Sequence, residues 1–143
     1  MSRRAFDTVA AGDPLPPVTE EFERYDLIRY AGVSGDLNPI HWDDEVARRI
    51  GLDGSVAHGM LTMGAAGGYV TDWVGDPGAV LELNVRFTSP LYVPTQLEGP
   101  VQVVYAGKVK SVDPETRTAV LALTATVDGR KLFGRATATV ALA

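Results

Sequence analysis

The sequence predicts one α+β domain spanning residues 1–143, in which a long apolar helix packs against an antiparallel sheet. A nearly uncharged segment rich in glycine and alanine occupies residues 58–74, as expected of a buried helix. From residue 81 onward apolar and polar residues alternate, which is typical of strands with one buried face. Because the helical segments come first and the strands follow, the order favours α+β architecture over alternating βαβ units.

The N-terminal region is predicted to be extended and then helical. The first twenty residues are rich in proline, and Asp13–Pro14 and Pro16–Pro17 are expected to form turns. A first helix is predicted over residues 21–33, because apolar residues recur there every three positions, a helical spacing. These residues are Phe22, Tyr25, Ile28 and Ala31, with Leu27 beside them.

A short second helix is predicted to follow residue 43. Asp43 is a suitable N-cap, because its carboxylate can accept the free backbone N–H groups of a first turn. Gly51 is expected to end the helix. Its apolar face is expected to consist of Val46, Ala47 and Ile50.

The predicted central helix, residues 58–74, is apolar on every side, so we expect it to be buried all round. It contains Gly64, Gly67 and Gly68, and each costs about 1 kcal/mol of helix stability relative to alanine. Close approach of the sheet or of a ligand would explain why side chains are missing at these positions.

Four strands are predicted to follow a turn at residues 76–78. The first covers residues 81–87, where Leu81, Leu83, Val85 and Phe87 alternate with polar residues. The others are expected near residues 96–112, 118–127 and 131–142. Residues 113–115 should form a hairpin loop, and Asp128–Gly129 suits a two-residue hairpin turn.

Composition excludes several classes of protein. Hydrophobic residues make up 45% of the chain and charged residues 22%, which is ordinary for a globular protein. The net charge of −5 and the scattered basic residues argue against a nucleic-acid partner. No apolar run follows the arginines near the N-terminus, and no stretch is long enough to span a membrane. The chain has no cysteine, so disulfides and thiol nucleophiles are excluded and the redox compartment stays open. A cytoplasmic location is the default expectation.

The candidate site lies between residues 36 and 60. Asp36 and His41 are five residues apart, and on a helix that spacing would separate their side chains by about 140° around the axis. Pro39 disfavours helical geometry at Asn38, however, and Gly35 permits a turn just before Asp36. The segment is therefore predicted to be a folded loop that aims both groups into one cavity.

The pattern D-x-N-P-x-H, followed by H-G-M, resembles the signature of the MaoC-like, or (R)-specific hydratase, family. The matching residues are Asp36, Asn38, Pro39, His41, His58, Gly59 and Met60. The segments Y-A-G-V-S-G, W-V-G-D-P-G-A-V and N-V-R-F-T are also similar to the catalytic B subunits of mycobacterial-type (3R)-hydroxyacyl-ACP dehydratases. The resemblance implies a hotdog fold, with the sheet wrapped around the central helix. It also implies reversible dehydration of (3R)-hydroxyacyl thioesters in fatty-acid elongation of the mycolic-acid type.

The resemblance assigns catalysis to Asp36 and His41. An imidazole suits proton transfer because its unperturbed pKa is about 6.5, and a carboxylate can bond to the hydroxyl that leaves C3. Which of the two handles the C2 proton stays open. Gly59 is the candidate oxyanion donor, because it should begin the central helix, where backbone N–H groups are free. Asn38 is expected to brace the loop, and His58 is not expected to act directly.

Neither a metal nor a cofactor is expected, because two histidines seventeen residues apart without cysteines make a poor metal site. The expected partners are an acyl-ACP or acyl-CoA substrate and a second hotdog subunit, identical or different. An (R)-specific enoyl-CoA hydratase would use the same residues. A non-catalytic acyl-binding subunit would not need them, and a hotdog thioesterase is disfavoured by the motif.

Overall fold

The computed structural model describes residues 2–143. The helices are α1 (Arg24–Ser34), α2 (Asp44–Arg49) and α3 (Gly59–Val74). The strands are β1 (Pro14–Phe22), β2 (Val80–Phe87), β3 (Val101–Asp113), β4 (Thr118–Val127), β5 (Arg130–Lys131) and β6 (Phe133–Ala141). One antiparallel sheet runs in the order β1-β3-β4-β6-β2, with the short β5 paired to β4. The predicted α+β hotdog architecture is confirmed.

The core lies between α3 and the sheet, and both of its layers contribute fully buried side chains. They include Val70, Val74, Val103, Leu121 and Val140. Within residues 2–143, none of the helices combines the length and the apolar character that crossing a membrane requires.

Two buried tyrosines tie α3 to the sheet. The Tyr69 hydroxyl donates to the Pro16 carbonyl of β1 at 3.0 Å, and the Tyr105 hydroxyl of β3 donates to the Thr62 carbonyl at 3.0 Å. Burial raises the pKa of Tyr69 to about 12, so its hydroxyl stays protonated and remains a donor. The second bond lies in the first turn of α3 and fixes the end of the helix that faces the candidate site.

The central helix has the predicted extent but is not buried on every side. Met60 is 59% exposed, and Gly64 and Gly68 face solvent one and two turns further along. A Cβ at either of these glycines would have no neighbour within 4 Å. At Gly67 a Cβ would make only ordinary contact with Leu83, at 3.5 Å, so close approach of the sheet does not require glycine at any of the three positions.

The N-terminal helix begins later than predicted. Residues 21 and 22 belong to β1, because they pair with Gln102 and Val101 of β3. Helix α1 starts at Arg24, after a capping box in which Glu23 and Asp26 each accept the other's backbone N–H. The three-residue apolar spacing was misleading, since Tyr25 and Ile28 are about half exposed.

The predicted turn at Pro16–Pro17 is wrong, because both prolines lie within β1. The pairing of β1 with β3 shifts its register between Leu15 and Val18, around these prolines. Strand β1 is an edge of the sheet. Prolines, which cannot donate a backbone hydrogen bond, are tolerated at such edges and at bulges.

Helix α2 has the predicted caps but only part of the predicted face. The Asp43 side chain accepts from the N–H groups of Glu45 and Val46, and Gly51 adopts a φ of +93° just beyond the helix. Ala47 is fully buried, whereas Ile50 is 63% exposed. The prediction for Ile50 is therefore wrong.

The strand predictions are closest to the structure at the hairpins. The turn that joins β4 to β5 has positive φ at Asp128 and Gly129, at 48° and 75°, as a type I′ hairpin requires. Strand β3 starts at Val101 rather than at residue 96, and the last predicted strand divides into β5 and β6. Strand β2 forms the second edge of the sheet.

Candidate active site

The loop between α1 and α2 is folded by its own side chains. Gly35, with a φ of +75°, ends α1 in the left-handed conformation and turns the chain. Asp36 Oδ1 accepts from the Asn38 N–H at 3.2 Å, and Asn38 Oδ1 accepts from the Ile40 N–H at 3.2 Å. Asn38 thereby caps a short 3-10 turn over Pro39–His41. These short-range bonds make the loop a defined scaffold, and Asn38 braces it.

His41 is buried and held in one orientation. Its Nδ1 lies 2.7 Å from the Val56 carbonyl oxygen, and because a carbonyl only accepts, Nδ1 carries the proton. The Val56 N–H in turn donates to the Ile40 carbonyl at 3.1 Å. This reciprocal contact fixes the ring, and in the neutral imidazole it leaves the lone pair on Nε2.

Asp36 and His41 face one another across a short gap. His41 Nε2 lies 3.6 Å from Asp36 Oδ2, which is longer than a hydrogen bond. The Asp36 side chain is 53% exposed, whereas that of His41 is 10% exposed. The loop brings the pair together as expected, but residues 2–143 do not enclose it in a cavity.

Two depressions with mainly apolar walls border helix α1. A pocket of about 380 Å³ between α1, α3 and β1 is lined in part by Tyr30, Val33 and Leu61. A groove of about 490 Å³ is lined by Ile28, Ala31, Gly32, Leu37 and Trp42. Leu37, which lines this groove, follows Asp36 directly in the loop.

Gly59 is the first residue of α3, as expected. Among residues 2–143 no acceptor pairs with its N–H, so this N–H lies free at the positive end of the helix dipole. A Cβ at this position would lie 3.1 Å from the Phe87 ring. An alanine here would require the Phe87 ring to shift by a few tenths of an ångström.

His58, which was not expected to act directly, contacts both members of the pair. It is 3% exposed, and its ring stacks on that of His41 with centroids 3.6 Å apart and planes 22° apart. Its Nε2 donates to the Asp36 backbone carbonyl at 3.1 Å, whereas its Nδ1 is buried without a partner in the described part of the chain. Burial, aided by the nearby His41, lowers the pKa of His58. We call Asp36, His41 and His58 the histidine cluster.

The histidine cluster has the composition of a metal site but not its geometry. One potential ligand atom from each residue lies within 4.8 Å of the others. The two imidazoles are stacked face to face, however, so an ion in the plane of one ring would lie out of the plane of the other. His58 Nε2 is also committed to the Asp36 carbonyl. The arrangement suits proton transfer better than metal binding.

A second polar cluster lies on the other side of the same segment. The Arg24 guanidinium donates to Asp44 Oδ1 at 3.1 Å, to Ser55 Oγ at 3.0 Å and to the Val93 carbonyl at 2.7 Å. The Ser55 N–H donates to Asp44 at 2.8 Å. Burial alone would raise the pKa of Asp44, but the Ser55 bonds and Arg24 together lower it. We call Arg24, Asp44 and Ser55 the arginine cluster.

Sequence reasoning missed both His58 and the arginine cluster. His58 is seventeen residues from His41, and the spacing carries no signal that their rings meet. Arg24 and Ser55 are also far apart in the chain, and they meet because α1 packs beside the segment that precedes α3. The only sequence signal for His58 was its place beside Gly59 in the H-G-M pattern.

Comparison with known proteins gives the following similarities. Residues 7–125 match the family model described as a MaoC like domain. The chain is 34% identical over 115 residues to a mitochondrial 3-hydroxyacyl-[acyl-carrier-protein] dehydratase of Arabidopsis thaliana, covering 76% of this chain and 68% of the relative. It is 30% identical over 109 residues to a 3-hydroxybutyryl-CoA dehydratase of Methylorubrum extorquens, covering 76% and 66%.

The solved structures show the same similarity in three dimensions. A protein described as a MaoC-like dehydratase is 46% identical with a TM-score of 0.94, and the match covers 99% of this chain but 43% of that one. The chain therefore spans less than half of this solved relative. Structures less than 25% identical, among them chains of the ChsH1-ChsH2 and HadBC complexes of Mycobacterium tuberculosis, share the fold.

Proposed function

Because the chain belongs to the MaoC-like domain family, we propose that it is a hydro-lyase that reversibly dehydrates (3R)-hydroxyacyl thioesters to trans-2-enoyl thioesters. One observation supports this most directly. His41 Nε2 and Asp36 Oδ2 face each other at 3.6 Å, with the His41 tautomer set by Val56. Two proton-transfer groups are thus placed side by side with unused bonding capacity.

The proposed chemistry uses both groups of the pair. Dehydration removes a proton from C2 while the hydroxyl on C3 takes up a proton and leaves as water. In the hydration direction a water oxygen about 2.8 Å from both Nε2 and Oδ2 can donate one hydrogen to each of them. One group of the pair accepts the C2 proton, and the other bonds to the departing hydroxyl. Because Nε2 and the carboxylate both start as proton acceptors, the group that takes the proton from C2 then gives that same proton to the departing hydroxyl, which leaves as water. On this route either assignment of the two roles to Asp36 and His41 balances the reaction.

The thioester carbonyl is assigned to the N-terminus of α3. Negative charge develops on this oxygen as C2 loses its proton, and preorganised backbone donors stabilise such charge. The Gly59 N–H is free at the positive end of the helix, and Gly59 follows His58, whose ring stacks on His41. These two facts support Gly59 as the oxyanion donor.

The substrate is proposed to be an acyl chain carried on acyl carrier protein, used in fatty-acid elongation. The relative named as an acyl-carrier-protein dehydratase supports this carrier. The relative named as a CoA dehydratase supports the alternative, an (R)-specific enoyl-CoA hydratase acting through the same residues. The apolar groove lined in part by Leu37 offers room for an acyl chain in either case.

We also propose that residues 1–143 act as one cytoplasmic hotdog domain paired with a second, identical or different. The catalytic pair opens to solvent, and α3 exposes a stripe that contains Met60 and Gly64. A second domain on this side would enclose the site. The 46% identical relative, whose chain is more than twice as long as this match, has room for two such domains in one polypeptide.

The test is to follow hydration of trans-2-enoyl thioesters spectroscopically and to determine the configuration of the product at C3. Short and long acyl chains on CoA and on acyl carrier protein are compared, with the chain alone and co-expressed with a second hotdog subunit. We expect the (3R)-hydroxy product. A mainly (3S) product would contradict the proposal. Acyl binding without turnover under all these conditions would establish the non-catalytic alternative.

A further inference from the structure

His58 occupies a position that packing alone does not explain. Its ring is 3% exposed, and its Nδ1 has no hydrogen-bond partner within residues 2–143. Burying an unpaired polar atom destabilises a fold, whereas an apolar ring of similar shape would avoid that cost. The other side of the ring compensates, because Nε2 donates to the Asp36 carbonyl.

The two contacts of His58 reach the two proposed catalytic residues. The hydrogen bond from Nε2 holds the backbone of Asp36 at 3.1 Å. The ring face holds the ring of His41 at 3.6 Å. Since His58 is also the N-cap of α3, one residue links the loop, the His41 ring and the helix terminus.

We propose that His58 is the positioning residue of this site: it sets the distance between the Asp36 carboxylate and the His41 ring by bonding to one and stacking on the other. The proposal rests on the function proposed above for Asp36 and His41. His58 itself does not exchange protons with substrate. Its Nε2 carries a proton toward a carbonyl, so in the neutral ring Nδ1 is the bare nitrogen.

The surroundings of His58 favour its neutral form during turnover. The titratable groups that face it are Asp36, His41 and the phenol of Tyr30, whose ring lies 4.9 Å away. Burial disfavours a charge on the ring, and a proton on the stacked His41 would repel a second one. Both effects favour the neutral form of His58 while the neighbouring ring is charged.

Three variants separate the two contacts. His58→Phe keeps an aromatic ring but loses the N–H donor and the unpaired nitrogen, and His58→Gln keeps an N–H donor but loses the ring. His58→Ala loses both. A positioning role predicts that His58→Ala lowers kcat about 10²-fold with KM little changed, as displacement of a reacting group does. His58→Gln should recover part of that loss.

His58→Phe gives the decisive comparison. It removes both the unpaired nitrogen and the bond to the Asp36 carbonyl, so its melting temperature should stay near that of the wild type while kcat falls. A residue that only packs predicts the opposite, a stable variant with normal kcat, and that result would overturn the proposal. Equal kcat for His58→Gln and His58→Ala would overturn the role of the hydrogen bond. Should His58→Phe fail to fold, the comparison of His58→Gln with His58→Ala still decides.

A measurement without turnover separates this proposal from the proposed function. Nitrogen-15 NMR of the wild-type protein should show His58 as the Nε2–H tautomer and His41 as the Nδ1–H tautomer. His58→Phe should shift the His41 and Asp36 resonances even if no substrate is turned over. A wild type with these tautomers but no hydratase activity would refute the function alone. The opposite His58 tautomer in an active enzyme would refute the positioning role alone.

Discussion

The histidine cluster and the arginine cluster lie on either side of residues 55–58, and they use their hydrogen bonds in opposite ways. Arg24 and Asp44 are each bonded several times over, to Ser55 and to backbone carbonyl and N–H groups. In the histidine cluster His41 Nε2 and Asp36 Oδ2 stop at 3.6 Å, and His58 Nδ1 has no partner in the described chain. We infer that the arginine cluster, whose groups are hydrogen-bonded to one another, stabilises the fold. The histidine cluster keeps unpaired hydrogen-bonding atoms, which a substrate could use.

The largest expected effect is the loss of activity from the histidine cluster. Asp36→Asn and His41→Ala should each lower turnover by about 10²- to 10⁴-fold, because each removes a proton-transfer group. Asp36→Asn should leave the melting temperature nearly unchanged, since Asp36 is half exposed. His41→Ala should fold but melt at a lower temperature, because the buried ring bonds to the Val56 carbonyl and stacks on His58. Steady-state kinetics on folded protein provides the measurement.

The matched control is Glu45→Gln, which removes a carboxylate from the 74% exposed pair with Arg49 on α2. It should leave turnover unchanged. Normal turnover in either Asp36→Asn or His41→Ala would remove that residue from the mechanism.

The second expected effect is on stability, from the arginine cluster. Arg24→Met removes the cationic partner of Asp44 and the donor to three further acceptors, Ser55 Oγ and the Val93 and Pro94 carbonyls, which should destabilise the fold by about 2–3 kcal/mol. Well below the melting temperature, turnover should fall by less than about tenfold, because the Val56 carbonyl still orients His41. Denaturant unfolding and kinetics on the same sample test this. An Arg24→Met variant as stable as the wild type but inactive would contradict the assignment of stability to the arginine cluster and of activity to the histidine cluster.

The third effect compares two glycines of α3. Gly59→Ala places a methyl group 3.1 Å from the Phe87 ring and should cost about 1–3 kcal/mol, with lower turnover from a crowded oxyanion site. Gly67→Ala meets only ordinary contact with Leu83 at 3.5 Å and should gain about 0.5–1 kcal/mol of stability. If both variants were equally active, the N-terminus of α3 would have no special role in catalysis.

The smallest effect is the pH dependence contributed by His58. Its pKa is lowered in the folded state, mainly by burial, so the unfolded chain takes up the proton first as pH falls. The stability contributed by neutral His58 is therefore complete above the unfolded pKa of about 6.5 and declines as pH falls below it. Thermal melts at pH 7.5 and 5.5 should show a greater loss for the wild type than for His58→Phe. An equal loss in both would mean that His58 is free to charge in the fold.

The parts of the fold that sequence predicted well depend on local chemistry. The bounds of α3 follow from its uniform apolarity, and the turn at Asp128–Gly129 follows from the need for positive φ. The predictions that were wrong concern residues whose structure depends on contacts with distant segments of the chain. Residues 21–22 have helical spacing but pair with β3, and Gly64 faces outward although its helix is apolar. Only packing between distant segments decides such cases.

The candidate site divides in the same way. Asp36 and His41 lie in one short loop, and Pro39 and Gly35 imply its turns, so their meeting could be predicted from the sequence. The stacking of His58 on His41 joins segments seventeen residues apart, and no spacing rule predicts it. The orientation of His41 depends likewise on the Val56 carbonyl, which the loop sequence does not reveal.

The two edges of the sheet differ in a way that limits assembly. On β1 the three prolines Pro14, Pro16 and Pro17 remove backbone donors that a further strand would need. Strand β2, at the other edge, has no proline and exposes Leu81 and Phe87. A subunit with one usable edge strand can pair with one neighbour by strand addition, and no second edge strand then remains for a further neighbour. A pair joined through β2 would present only proline-bearing edges, which disfavours further strand addition into an open fibre.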